Sequence, residues 1–261
     1  MEQRHLSVSQ LKTYLLCPLK YFYRYVQRLP APKSPELSLG IAVHSALAVN
    51  FTQKIRSGED LPLSVVTDAF SDAWKAEVPE IDFQAGKKPG SIQDEGVRIV
   101  GHFHATVAPT VQPKEVEERF ELAFENVPYT FVGRKDLVDN NDCIRDYKVT
   151  KRSPTPAQVA EDIQLTAYSL AHRLTHPKLE SGLQLDVMVR TKQPKVLHLP
   201  ATRAPCATTP GSSNSWATSP RGSSWVCSIP IRISPVRAAR IASSVMRGRS
   251  IKIYTACPID R

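Results

Sequence analysis

Three charged residues on two neighbouring segments are the strongest candidates for chemistry in this chain. Asp136 and Asp146 are ten residues apart in "GRKDLVDNNDCIRDYKVTKRSP", and Lys148 follows the second aspartate by two positions. Residues i and i+2 of a strand point to the same face, so we expect Asp146 and Lys148 to lie side by side. If the two segments pair across the turn "DNND", Asp136 lies near Asp146, and two carboxylates and one ammonium group converge.

Such a group of side chains suits a hard divalent cation. Two close carboxylates repel each other, and an ion such as Mg²⁺, which takes oxygen ligands, relieves that repulsion. A neighbouring lysine can stabilise the charge that builds on a phosphate, or orient a water molecule and help to deprotonate it. Each part alone is also a common feature of solvated hairpins, so the metal-site interpretation depends on further residues.

Two helical segments supply such residues. In "GIAVH", Gly40 and His44 are one helical turn apart, so the glycine leaves room above an imidazole that can ligate a metal or be hydrogen-bonded in a core. In "QLTAY", Gln164 and Tyr168 lie on one face of the helix that follows the Asp-x-Lys segment. Taken singly, these residues would be ordinary core or helix-boundary positions.

The elements that must position these side chains follow from hydrophobic periodicity. Ser7 and Gln10 predict a capping box that begins a helix over "SQLKTYLLCPLKYFYRYV", kinked at its Cys-Pro step. A largely buried helix over "LGIAVHSALAVNFTQKIRSG" and two amphipathic helices at about 64–78 and 91–108 come next. Three alternating segments then predict an antiparallel meander, followed by one helix, "TPAQVAEDIQLTAYSLAHRL", and a fourth strand, "SGLQLDVMVRTK". This order predicts an α/β layer with a mixed sheet.

Composition describes a globular chain. The apolar fraction is 41% and the charged fraction 23%, and no apolar run approaches the roughly 18 to 20 residues of a membrane span. The start "MEQRHLSVSQ" lacks the apolar region of a signal peptide, so we expect no membrane partner and a cytoplasmic location. The five cysteines are scattered and odd in number, which argues against a secreted disulfide framework and leaves reduced thiols or a metal or cluster role open.

The positive charge of the chain is concentrated at its C-terminal end. Residues 196–261 hold nine Lys/Arg and one acidic residue, whereas residues 1–195 hold 25 basic and 24 acidic residues. The same end contains eleven serines and seven prolines without a sustained period. We therefore expect a folded domain over 1–195 and an irregular, basic Ser/Pro/Arg-rich tail over 196–261. The tail is either a flexible segment that touches nucleic acid or the product of a reading frame that shifted near Val196.

The motifs taken together resemble a known family. "GIAVH", "VGRKDLVD", "IRDYKVTKR" and "QLTAY", in this order and spacing, resemble the PD-(D/E)xK phosphodiesterase superfamily. They resemble in particular its RecB-like branch of DNA exonucleases, which includes the CRISPR-associated adaptation nucleases. "LSVSQLKTYLLCPLKYFYRYV" is similar to the opening of that branch, and the resemblance covers about residues 5–192. It implies a restriction-endonuclease-like core, with a central mixed β-sheet flanked by helices and an N-terminal helical region.

The resemblance also implies roles for matching positions. Asp136 corresponds to the first acid, Asp146 and Lys148 to the D-x-K element, and these three are the expected catalytic residues. The implied metal ligands are Asp136, Asp146, the imidazole of His44 and the main-chain carbonyl of Tyr147. Gln164 and Tyr168 fit the Q-x-x-x-Y motif that the branch links to DNA strand handling. Glu117 or Glu118 is a weaker candidate for a group just outside the ligands.

The resemblance raises the question of an iron–sulfur cluster at Cys17. Many RecB-like members hold a [4Fe–4S] cluster with one cysteine from the Cys-Pro helix and three closely spaced cysteines after the last core strand. Here Cys206, Cys227 and Cys257 are 21 and 30 residues apart. We therefore expect Cys17 to be an ancestral cluster position that this chain does not fill, with a plain buried cysteine as the alternative.

The implied activity is Mg²⁺- or Mn²⁺-dependent hydrolysis of DNA phosphodiester bonds in recombination, repair or phage-related DNA processing. Exonuclease action is favoured over sequence-specific endonuclease action because no separate recognition domain is visible in the sequence. A helicase or another recombination partner would have to be supplied in trans. The alternative is a catalytically impaired DNA-binding or scaffolding remnant of the family, which the unusual tail favours.

Overall fold

The computed structural model describes residues 4–83, 88–124 and 127–201. Within these ranges the chain forms seven α-helices around one six-stranded sheet. The helices are α1 (Val8–Leu16), α2 (Pro18–Tyr21), α3 (Pro35–Ser57), α4 (Leu63–Glu77), α5 (Pro89–Thr106), α6 (Pro156–Ala160) and α7 (Ile163–Thr175). The strands are β1 (Arg4–Ser7), β2 (Pro113–Ala123), β3 (Tyr129–Asp139), β4 (Cys143–Thr150), β5 (Gly182–Val189) and β6 (Lys195–Pro200).

The sheet is mixed, and β3 is its organising strand. β2 pairs antiparallel with β3 over most of its length. On the other edge of β3, its first residues pair in parallel with β1, and Leu137 and Val138 pair antiparallel with β4. β4 then pairs in parallel with β5, and β5 pairs antiparallel with β6. The expected α/β fold with a central mixed sheet flanked by helices is confirmed.

Two hydrophobic clusters pack against this sheet. The first joins α3, α4 and α5 to the sheet and includes Phe51, Trp74 and Phe103, all at most 1% exposed. The second lies between the sheet and α7 and includes Phe120 and Tyr168. Burying an apolar side chain of this size contributes about 2 kcal/mol relative to leaving it in water, so both layers hold the sheet firmly.

The N-terminal helical segment begins at the predicted capping box and is interrupted at the predicted Cys-Pro step, and after α2 it continues as a π-helix, Phe22–Val26. The Ser7 hydroxyl accepts from the Gln10 N–H at 3.2 Å, and the Gln10 side chain accepts from the Ser7 N–H at 2.6 Å, which confirms the capping box. α1 ends just before the Cys-Pro step because Pro18 has no N–H to continue the helical ladder. The Cys17 thiol then accepts from the Lys20 N–H at 3.4 Å and caps α2.

The structure differs from the sequence prediction beyond β4. The single helix expected there is divided into two helices, α6 and α7. The division occurs because the Asp162 carboxylate accepts a hydrogen bond from the Gln164 N–H at 2.6 Å and caps the N-terminus of α7. Lys12 from α1 pairs with the same carboxylate at 3.1 Å. The local period is helical on both sides of this break, so periodicity alone does not reveal it.

Two strands were not predicted. β1 is only four residues long and pairs in parallel with the first residues of β3. β6 pairs along β5 from Lys195 to Pro200, so the expected domain boundary between residues 195 and 196 falls within a strand. Residues 202–261, the rest of the predicted tail, lie outside the described residues. Across the described parts of the chain, no helix has the length and apolar character that a membrane crossing needs.

Gly96 on α5 allows this helix to approach α4 closely. A Cβ at this position would lie 1.9 Å from Cζ of Phe70 on α4, whereas a Cβ at Gly101 of the same helix would have Cδ1 of Leu63, at 4.0 Å, as its nearest neighbour outside the adjacent helix backbone. We expect Gly96→Ala to lower the free energy of unfolding by about 1–3 kcal/mol because the buried ring must move.

The control is Gly101→Ala, which we expect to raise the free energy of unfolding by up to about 1 kcal/mol through helix propensity. Urea unfolding of both variants measures the difference. Equal free energies for the two variants would contradict the packing of α4 against α5 described above.

Candidate active site

The site forms where β3 and β4 separate. The two strands pair only through Leu137 and Val138, and beyond these positions β4 leaves β3. The Tyr147 N–H donates to Oδ2 of Asp136 at 2.9 Å. A side-chain carboxylate thus satisfies a backbone donor at the point where the ladder ends, and Asp136, only 8% exposed, is fixed against the backbone of β4.

His44 of α3 contacts both sides of this opening. Its Nε2 lies 2.8 Å from the Tyr147 carbonyl oxygen, and its Nδ1 lies 3.4 Å from Oδ2 of Asp136. Since a carbonyl can only accept, Nε2 carries a proton in this arrangement. One turn earlier on α3, a Cβ at Gly40 would meet no atom within 4 Å, so the space beside the imidazole is open.

Asp146 and Lys148 form the second half of the site. Asp146 is fully buried, and the Lys148 ammonium lies 2.6 Å from its Oδ2. No described hydrogen-bond donor is aligned with either oxygen of this carboxylate. Lys148 also donates to Oε1 of Gln164 at 3.0 Å, and Nε2 of Gln164 donates to the Tyr168 hydroxyl at 2.6 Å. The Q-x-x-x-Y pair therefore lies directly behind the lysine and fixes its position.

Glu117 is a site residue that sequence reasoning left as a weak candidate. The β2–β3 ladder runs from Pro113 to Ala123, with a register shift between Pro113 and Glu115, and it omits Glu117 and its opposite residue, Asp136. Glu117 has a φ of 54°, a left-handed conformation that costs about 1 kcal/mol or more for a residue other than glycine. Its carboxylate lies within 4.8 Å of the ligating atoms of His44 and Asp136. Strand alternation could not identify it, because this distortion breaks the alternation.

The neighbouring glutamate has a different environment. Glu118 pairs with Lys135, a buried lysine on β3, and not with the residues of the site. Glu117 instead pairs with Arg134, whose side chain is 55% exposed at the rim. Of the two glutamates, only Glu117 therefore belongs to the site.

Burial and mutual charge set the protonation of these groups. Burial, together with repulsion by Asp136, raises the pKa of Asp146 to about 7 despite the opposing charge of Lys148. Burial would also raise the pKa of Asp136, but His44, Lys148 and the Tyr147 N–H outweigh it and lower that pKa. For His44 and Lys148, burial acts to lower the pKa, and the neighbouring aspartates more than compensate, so both pKa values are raised.

The donor set fits a hard divalent cation. His44, Glu117 and Asp136 each offer a ligating atom within one small volume, and Asp146 offers two buried oxygens without aligned donors. Carboxylate oxygens with one imidazole suit Mg²⁺ or Mn²⁺. The Tyr147 carbonyl, also expected as a ligand, accepts a hydrogen bond from Nε2 of His44. Asp146 lies outside the close group formed by His44, Glu117 and Asp136.

A pocket of about 570 Å³ leads to these residues. It lies between α3 and strands β2, β3 and β4, with His44, Glu117 and Lys148 in its wall and the exposed Arg134 at its rim. Cys17, the expected cluster position, is only partly buried, and its thiol serves as a helix cap. The other three cysteines considered for a cluster lie outside the described residues.

The fold and the site together define a class of protein, an α/β protein with potential cation ligands where two strands of its sheet separate. The sequence-family model of the PD-(D/E)XK nuclease superfamily matches residues 5–205, and the chain belongs to this superfamily. Among solved structures, the chain is similar to a protein from Eubacterium rectale provisionally described as an exonuclease, with a TM-score of 0.54 and 14% identity. That alignment covers 77% of this chain and 73% of the other. A search of curated proteins gave no match.

The raised pKa values of Asp146 and His44 should make metal binding depend on pH. Below a pH of about 7 the Asp146 carboxyl holds a proton, and a metal ion must displace it as well as the extra proton on His44. We expect the affinity for Mn²⁺ to rise as pH increases from about 6 to about 8, by up to about 10-fold per pH unit for each proton displaced.

Isothermal titration calorimetry in buffers of different ionisation enthalpy measures both the affinity and the number of protons released. In Asp146→Asn the amide cannot ionise, so we expect weaker binding with a shallower dependence on pH. An affinity for Mn²⁺ that is constant over this pH range would contradict the protonation described above.

Proposed function

We propose that the protein is an Mg²⁺- or Mn²⁺-dependent DNA nuclease that acts as an exonuclease of the RecB-like type. The observation that carries this proposal is the convergence of His44, Asp136, Asp146 and Lys148 at the split between β3 and β4, beside an accessible pocket. Membership of the nuclease superfamily sets the reaction class, which is hydrolysis of a phosphodiester bond.

Each residue of the site has a chemical task in this proposal. Asp136, Asp146, Glu117 and His44 are the groups that would hold the cation, together with the Tyr147 carbonyl. Bound there, a divalent cation supplies a Lewis acid for the phosphate and lowers the pKa of an attacking water. Lys148 is held as an ammonium group by Asp146, so it stabilises the negative charge that develops on the phosphate oxygens.

Gln164 and Tyr168 keep the lysine in place. The Gln164 amide accepts from Lys148 at 3.0 Å and from Lys12 of α1 at 3.3 Å, so two cations share one oxygen. The same amide donates its N–H to the Tyr168 hydroxyl, and Tyr168 is buried. We infer that this pair positions Lys148 and the DNA strand beside it, in agreement with the strand-handling role that the resemblance implies.

DNA is the substrate that the local charges favour. Residues 1–195 carry a net charge of only +1, so a polyanion must be held by local cations. Lys148, Lys12 and Arg134 come from three different elements and contact residues of the site, the two lysines at Gln164 and the arginine at Glu117. Cations close to a metal-binding centre suit contacts to the phosphate backbone of a nucleic acid.

The mode of action and the setting are part of the same proposal. Residues 4–201, apart from the two short gaps, form helices around one sheet, and this described part contains no separate recognition domain. We therefore infer exonuclease action without sequence preference, in recombination, repair or phage-related DNA processing. A helicase or recombination partner would act in trans.

A nuclease assay tests the proposal. We expect purified protein to release nucleotides from single- or double-stranded DNA in the presence of Mg²⁺ or Mn²⁺, and to lose the activity in EDTA. Asp146→Asn and Lys148→Ala should each reduce kcat by about 100-fold or more, because each removes charge from the reacting centre.

The matched control is Lys75→Ala, which removes a lysine paired with an aspartate at 3.2 Å on the exposed face of α4. We expect this variant to keep full activity. Cleavage that survives both site substitutions would rule out this centre. Metal-dependent DNA binding without cleavage would instead support the catalytically impaired remnant.

A further inference from the structure

A second cluster of potential ligands lies at the far end of α7. His172 is in the last turn of this helix, and His176 is the residue just beyond it. Their rings stack with centroids 4.1 Å apart and planes inclined by 10°. Glu115 of β2 completes the cluster, with its Oε1 3.0 Å from Nε2 of His176.

The three side chains converge as metal ligands do. One ligating atom from each of Glu115, His172 and His176 lies within 4.8 Å of the others. Oε1 of Glu118 lies 3.8 Å from Nε2 of His176, so a second carboxylate borders the same space. Glu115 and Glu118 both contact the end of α7, whereas Glu117 between them contacts α3, so the distorted strand serves two separate clusters.

An ion-pair network alone does not explain the cluster. Lys135 is buried and neutralises both carboxylates, and its Nζ lies 3.2 Å from Oε2 of Glu115. His176 in turn has its partner in Glu115. His172 is different, because it is fully buried and neither of its ring nitrogens has a hydrogen-bond partner among the described residues. Such an unsatisfied imidazole is unfavourable unless it binds something.

The protonation state of His172 suits a ligand. Burial, and the positive charge of Lys135, lower its pKa, so the neutral imidazole is favoured at neutral pH. A neutral imidazole has a free lone pair, which is the form that coordinates a metal. This state agrees with the geometry, which leaves both nitrogens unbonded.

We propose that Glu115, His172 and His176 form a binding site for a Zn²⁺-class transition-metal ion, with Glu118 as a fourth candidate ligand. Two imidazoles and one or two carboxylates suit Zn²⁺, which takes four ligands in tetrahedral geometry, better than Mg²⁺, whose ligands are mainly oxygens. The site is distinct from the nuclease centre, with which it shares no residue.

The consequence of binding is structural. A metal ion held by β2 and the end of α7 ties together the two elements that carry Glu117 and the Gln164–Tyr168 pair. Because only the folded chain brings these ligands together, metal binding stabilises the folded state by mass action. The proposed nuclease activity does not depend on this site, so either proposal can fail without the other.

The test uses the full chain with the nuclease centre disabled by Asp136→Asn and Asp146→Asn. After equilibrium dialysis against Zn²⁺, elemental analysis should find Zn²⁺ retained in a fixed ratio to protein, and the Tm should rise with Zn²⁺ concentration. Co²⁺ in its place should give the visible absorption of a tetrahedral site. In the same background, His176→Gln and Glu115→Gln should each weaken Zn²⁺ binding by at least about 10-fold, the effect of losing even an outer partner of a ligand.

The matched control is His198→Gln, which breaks another histidine–carboxylate pair, with Asp186 at 2.6 Å, and should leave Zn²⁺ binding unchanged. Circular dichroism checks that each variant folds, and the partly exposed His176 is substituted because loss of the buried His172 risks unfolding. Zn²⁺ that is not retained in the disabled background, or an affinity unchanged by both substitutions, would overturn the proposal.

Discussion

The hydrogen bond from the Tyr147 N–H to the Asp136 carboxylate is the interaction on which the site depends. Where β4 leaves β3, a backbone donor would lose its partner, and the carboxylate replaces it. The Tyr147 ring on the opposite face is held by the core, stacked on Phe51 at 6.2 Å and edge-on to Phe103 at 5.4 Å. Core packing thus fixes the backbone, and strand alternation then directs Asp146 and Lys148 away from that core and towards α7.

The same constraint concentrates charge among buried side chains. Two aspartates, an imidazole and an ammonium group neutralise one another at close range, and one carboxylate has a pKa raised by burial and by its neighbour. Glu117 adds a third acid on a backbone in an unfavourable conformation. Arrangements of this kind lower the stability of the fold locally, and they are found where a protein binds a ligand or a reacting group.

Much of this could be predicted from the sequence because the signals were local. Alternation identified β2, β3, β4 and β5, helical periodicity identified α3, α4 and α5, and the D-x-K spacing placed Asp146 beside Lys148. Residue spacing alone could not show that Gln164 joins Lys148 to Tyr168, since that contact depends on where α7 packs. The resemblance to a family supplied the reason to consider the two residues together.

The features that were missed are those that tertiary structure decides. β1 and β6 are short edge elements that exist because β3 and β5 offer them partners, so their own residues carry little signal. The break at Asp162 depends on a carboxylate that caps α7 and pairs with Lys12 from a distant helix. The role of Glu117 depends on a backbone distortion, and the cluster at His172 depends on the approach of β2 to the end of α7.

The proposed function requires that His44, Glu117, Asp136, Asp146 and the Tyr147 carbonyl together form one cation site at the split between β3 and β4. Anomalous diffraction from crystals of the protein soaked in Mn²⁺ tests it most directly, since the ion itself is located. We expect an anomalous peak at this split, within about 2.0–2.5 Å of oxygens from both aspartates. A fully occupied peak elsewhere, with no ion at the split between β3 and β4, would rule out this site.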